Sequence, residues 1–187
     1  ALYQEIAKVA QAQKTPTDKI NTITSLLAEK ITYLSNMQTI KGAIIPQSLE
    51  MVAHTRLGDC KDFSMATATI LDSMGFTTKI ALVQRGEHEM PWPNDLPGPG
   101  HFNHAILKVE LPEKDLWIDP TNFVSMANHI FPDIAHKKAL VLDIKKSSYE
   151  TIPAIKAQDN RVVRNEVLDM RQANKLDLKG TLHLLGN

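Results

Sequence analysis

Between Arg56 and Phe76 the chain reads RLGDCKDFSMATATILDSMGF, and this stretch constrains the fold most. Phe63, Ala66, Ile70, Leu71 and Met74 recur at helical spacing, which gives a helix with one apolar stripe. Asp59 or Cys60 begins it and Gly75 ends it as the residue just past the helix, where glycine tolerates the left-handed backbone. The period then changes. TTKIALVQR (77–85) is strand-like, and in HFNHAILKVEL (101–111) Ala105, Leu107 and Val109 alternate with His104, Ile106 and Lys108. PEKD makes a turn, and LWIDPT (116–121) returns as a strand halted by Pro120. A one-sided helix followed by period-two segments predicts an α+β domain, with the helix buried against an antiparallel sheet.

Upstream, TDKINTITSLLAEKI (17–31) carries Ile20, Ile23, Leu27 and Ile31 at helical spacing, with Thr17 as the expected cap. QSLEMVAHTRL reads as a short helix capped by Ser48. From about Ala139 the texture changes to strand-like ALVLDI, NRVVRNEVLDM and LKGTLHLLG, separated by polar turns. The expected organisation is a catalytic core over 1–138 and a β-rich C-terminal extension over 139–187, the start of a truncated β-domain.

Composition removes several function classes. A chain of 187 residues, 43% hydrophobic, holds one domain with a sizeable core. Lys and Arg total 21, as do Asp and Glu, so no global basic surface invites nucleic acid. No apolar run approaches the roughly 20 residues of a membrane span. A single cysteine excludes an internal disulfide and any zinc site built on two or more thiolates.

That cysteine, Cys60, stands at a helix N-terminus, where unpaired N–H groups and the helix dipole favour thiolate. Its neighbours Gly58, Asp59, Lys61 and Asp62 are small or polar, and the apolar stripe starts only at Phe63. A cysteine nucleophile needs a base, and the base needs an orienting group. His104 and Asp119 lie on strands joined by the PEKD turn, and their odd separation of 15 puts both on one sheet face. Cys, His and Asp on helix, strand and strand form a triad. The backbone N–H of Cys60 is the default oxyanion donor, and Gln47 is a candidate second donor. The proline-rich loop MPWPNDLPGPG (90–100) is a candidate cleft wall, with Trp92 a candidate lining residue. Trp117 shares a strand face with Asp119 and is expected to pack under the helix. His101 lacks a partner at metal-ligand spacing, so no metal site is expected.

GDCKDFS, FNHAILKV and LWIDPT resemble the three catalytic blocks of the transglutaminase-like cysteine enzyme superfamily, most closely bacterial members proposed to be cysteine proteases. The resemblance runs from about residue 17 to 143. It implies a papain-like or transglutaminase-like core, with Cys60 as nucleophile, His104 as general base and acid, and Asp119 as orienting carboxylate. It also implies acyl transfer on peptide or carboxamide bonds without metal or organic cofactor, a peptide or protein substrate, flanking β-domains, and a bacterial, exported or periplasmic setting. Hydrolysis is the first expectation. A protein-glutamine transglutaminase would use the same three residues, and a low-turnover peptide-binding module of a larger envelope protein is the alternative from another class.

Overall fold

The computed structural model describes residues 2–34, 44–86, 101–122, 124, 126–158, 161–172 and 174–185. The described residues contain the helices α1 (Leu2–Gln11), α2 (Pro16–Lys30), α3 (Leu49–Thr55) and α4 (Cys60–Ser73), all before the main sheet. A two-residue parallel bridge joins β1 (Thr32–Tyr33) to β2 (Leu57–Gly58). The main sheet contains β3 (Thr77–Val83), β4 (His104–Glu110), β5 (Leu116–Ile118), β6 (Lys138–Val141) and β7 (Ser148–Thr151). Its order is β5-β4-β3-β6-β7, antiparallel throughout, so the expected α+β fold is the one observed.

Local chemistry sets the helix ends. Thr15, not Thr17, caps α2: its side chain accepts the Asp18 N–H at 3.1 Å, and Pro16 occupies the first helical position, where its missing N–H costs nothing. Ser48 caps α3 as expected. Gly75 ends α4 at φ +87°, letting the N–H of Phe76 reach the Leu71 carbonyl at 3.1 Å and that of Gly75 reach Asp72 at 3.0 Å. The sequence reading places no helix before residue 17. α1 is there because Leu2, Ile6 and Ala10, one turn apart, are buried in the core.

Two apolar layers follow from strand alternation. Leu107, Val109, Leu116 and Ile118 face the helices and pack with Phe63, Ala66, Ile70 and Leu71 of α4. Ala81, Val83, Ile106, Ala139 and Val141 face the other way, under Ile134 and Ile152. Trp117 belongs to this second layer, which corrects the expectation that it packs under the helix. The β4–β5 register pairs it with Lys108, so it shares the face of Ile106 while its neighbours Leu116 and Ile118 take the helix side. The Lys108 ammonium stands 5.9 Å from its ring centroid. β8 (Arg161–Gln172) and β9 (Lys175–Leu185) pair with each other as a separate hairpin, whose described residues contribute nothing to either layer.

Candidate active site

The start of α4 is built by carboxylates. Asp59 is the N-cap and accepts the Lys61 N–H at 3.0 Å and the Asp62 N–H at 3.4 Å, while Asp62 accepts the Asp59 N–H at 3.0 Å, so Asp59 and Asp62 form a reciprocal capping box. Cys60 is therefore the first helical residue, and the N–H groups of Lys61 and Asp62 that follow it are taken up by Asp59. Gly58 lets the incoming chain pass close by: a Cβ there would lie 3.0 Å from Asp62 Cβ. One turn further on, Ser64 donates to the Ala105 carbonyl at 3.1 Å and pins the helix to the first residues of β4.

The hairpin register sets His104 and Asp119 on one face, as strand parity requires. His104 Nε2 donates to Asp119 Oδ2 at 2.8 Å, and the His104 side chain lies near enough to the Cys60 thiol to act on it. Nε2 is spent on the carboxylate, which leaves Nδ1 for the sulfur. Asp119 has a fully buried side chain. Its Oδ1 accepts the Thr121 N–H at 3.0 Å and hydroxyl at 2.7 Å, and its Oδ2 also accepts from Arg85 Nη1 at 2.8 Å. The structure thus brings Cys60, His104 and Asp119 together, with His104 between the thiol and the carboxylate.

The electrostatics favour charge separation. Burial alone pushes the Cys60 thiol up, but the hydrogen bond and charge of His104 and the Ala105 N–H outweigh it and lower the thiol below its usual value. Burial likewise opposes a charged imidazole. Against it, Asp119 and Cys60 hold the proton on His104 and raise its pKa to about 9. Asp119 is held below the ordinary carboxylate range, because His104 and Thr121 overcome its burial. The group is set up as thiolate, imidazolium and carboxylate.

Two residues at the site were not singled out from sequence. Tyr33, opposite Gly58 across the β1–β2 bridge, lies near the Cys60 sulfur. Its ring centroid lies 6.0 Å from that of Phe63. Burial, then the negative charges of Cys60, Asp59 and Asp119, push its pKa up to about 12, so the hydroxyl stays a donor. Arg85 is the second. Gln47, the candidate oxyanion donor, is fastened to the helix start: its N–H and Nε2 donate to the two Asp62 oxygens at 2.7 and 2.9 Å. Trp92 and the 90–100 loop lie outside the described residues. Among the described residues no three His, Cys, Asp or Glu side chains converge to hold a metal ion.

Tyr33→Phe removes one donor from the sulfur and leaves the ring. The expected result is a higher midpoint for Cys60 alkylation across pH, by a fraction of a unit to about one unit, with unchanged melting. An unshifted profile would mean that the phenol does not stabilise thiolate.

Residues 4–121 match the transglutaminase-like superfamily. The chain belongs to that superfamily. The match takes in α1 through the strands of the hairpin and contains Cys60, His104 and Asp119. Among solved structures, a transglutaminase is similar over 70% of this chain at 17% identity and a TM-score of 0.50. A proposed protease from Parabacteroides distasonis is similar over 82% of this chain at 13% identity and a TM-score of 0.58. At such identities the likeness is one of fold. This superfamily member spans 33% and 28% of those two chains. No curated protein matches the sequence.

Proposed function

We propose that this chain carries a cysteine-dependent acyl-transfer enzyme, a hydrolase of peptide or carboxamide bonds. The observation behind this reading is the position of His104, beside a thiol at a helix N-terminus and hydrogen-bonded to a buried carboxylate. Cys60 Sγ attacks the carbonyl carbon, and the oxygen becomes an oxyanion beside the Cys60 N–H at the start of α4. The tetrahedral adduct collapses to a thioester as His104 gives its proton to the departing amine. Water, deprotonated by His104, then attacks the thioester, and the carboxylic acid and free thiolate result. An amine in place of that water would make the same site a transglutaminase. Hydrolysis is favoured on the family resemblance to proposed proteases.

The test is a p-nitrophenyl acetate burst, with mass spectrometry of Cys60. One acetyl group should be found on that thiol, and hydrolysis should continue when a lysine-like amine is added. Absence of the thioester would sink the reading, and amine incorporation would turn it to transglutamination. Asp119→Asn keeps an acceptor but loses charge. In a serine triad the equivalent change lowers turnover by about 10⁴, partly by fixing the wrong tautomer. A thiolate–imidazolium pair is already charge-separated, so a loss on the order of 10–10³ in acylation rate is expected here. A loss as large as that of Cys60→Ser would count against the ion-pair description.

A further inference from the structure

Asp119 Oδ2 is shared. His104 Nε2 and Arg85 Nη1 each approach it at 2.8 Å, and the two nitrogens stand 3.4 Å apart. Nε2 carries a proton when it donates to the carboxylate, so it offers no acceptor to the guanidinium. Two donors therefore converge on one oxygen, and when the imidazole is protonated two like charges are side by side. Arg85 is held there by several partners. Its Nε pairs with Asp133, and its Nη2 donates to Asn122 Oδ1 at 3.3 Å. Asn103 fixes its backbone by accepting the Arg85 N–H at 2.7 Å and donating to its carbonyl at 3.0 Å. The groups facing His104 are Cys60 from α4, Asp119 after β5 and Arg85 after β3. Asp133 lies behind Arg85, while Tyr33 and Asp59 lie on the thiol side.

We propose that Arg85 is a positioning residue which, by sharing Asp119 Oδ2 with His104, limits how firmly the carboxylate holds the imidazolium proton and so keeps that proton deliverable to a leaving amine. The inference rests on the acyl-transfer reading of the site. The chemical logic is a balance. Asp119 alone, buried and fully ionised, would stabilise the imidazolium strongly. An imidazolium stabilised too far is a good partner for thiolate but a poor acid, because acid catalysis is best when the proton is not held far above the working pH. A guanidinium cannot titrate, so Arg85 draws on the same carboxylate at every pH without competing for the proton itself. With Arg85 neutralised, His104 keeps Asp119 Oδ2 to itself while Thr121 stays on Oδ1, and a like charge 3.4 Å from Nε2 is gone.

The experiment is an NMR titration of the His104 ring in the wild-type chain and in Arg85→Met, with the signal assigned by its loss in His104→Gln. The midpoint is expected to rise in Arg85→Met by about one unit. Arg85→Lys, which keeps the charge, should return most of the way to wild type. Arg85→Gln keeps polar contact with Asp133 and Asn122 and should behave like the Met variant, so it serves if that one does not fold. A second readout separates leaving groups. Ammonia release from benzyloxycarbonyl-Gln-Gly needs the proton and should fall about tenfold. Release of p-nitrophenolate from p-nitrophenyl acetate needs none and should hold near wild type. An unmoved or lowered midpoint, or equal losses on both substrates with Arg85→Lys no better, would overturn the inference and leave Arg85 as a tie between loops. Failure of the wild-type chain to acylate at Cys60 would instead overturn the acyl-transfer reading.

Discussion

Cys60→Ser is expected to stop acylation and leave the fold standing. The substitution keeps a small polar atom at the first position of α4, and neither the Asp59–Asp62 capping box nor the apolar stripe of the helix depends on sulfur. What it loses is ionisation. The His104 charge and the Ala105 N–H lower the thiol below its usual value against the cost of burial, so thiolate is reached more readily than in a free cysteine. A hydroxyl starts so much higher that the same surroundings leave it protonated. His104 could still act as a base for a hydroxyl, as in serine enzymes, but Nδ1 would have to take the proton during the attack rather than before it. Removing the nucleophile of a triad costs on the order of 10⁴–10⁶ in rate, and that range is expected for the thioester burst. Melting should shift little, since the side chain is small and half-buried. A serine variant that acylates at a rate close to wild type would put the nucleophile elsewhere and end the functional reading.

The parts of this site that were legible in the sequence are those fixed by short-range periodicity. His104 and Asp119 are joined by a tight hairpin, so alternation alone puts them on one face, and Cys60 is marked by the helix start. Tyr33 carried no such mark. Its place beside the thiol comes from a two-residue parallel bridge between distant segments, which has no period to read. Arg85 could have been found. It continues the alternation of Ala81 and Val83, and Val83 pairs with His104, so the rule that located Asp119 also puts Arg85 on the His104 face. An arginine at a strand end looks like a solvated terminus, and only the third dimension reveals Asp119, Asn122 and Asp133 around it. Trp117 was misjudged for a related reason. His104 is the first residue of β4 and meets the thiol at the end of the strand. Sharing its face thus does not mean lying under the helix, and Trp117 packs on the opposite layer.

His104→Ala is expected to be nearly as damaging to activity as loss of the thiol, but through a different signature. The imidazole raises the thiolate fraction, takes and returns protons, and links the sulfur to Asp119. Losing all three should lower the acylation rate on the order of 10³–10⁵. The thiol should respond directly: with its main stabiliser gone, burial and Asp59 push it up, so the alkylation midpoint moves to or above the free value of about 8.5. The wild-type profile has its own test. The ion pair is the populated form between the lowered thiol pKa and the histidine value of about 9, so kcat/KM should decline as pH passes about 9. Stability follows the same sign. A folded-state pKa raised from 6.5 to about 9 contributes stability fully below pH 6.5, and this is lost as pH rises through 9. His104→Ala should therefore narrow the stability difference between pH 6 and pH 10. Asp119 is not stranded by the change, because Arg85 and Thr121 still satisfy both of its oxygens, and the variant should fold. Added imidazole should enter the space left by the ring and restore part of the burst. A variant that keeps a wild-type alkylation midpoint would show that His104 does not ionise the thiol.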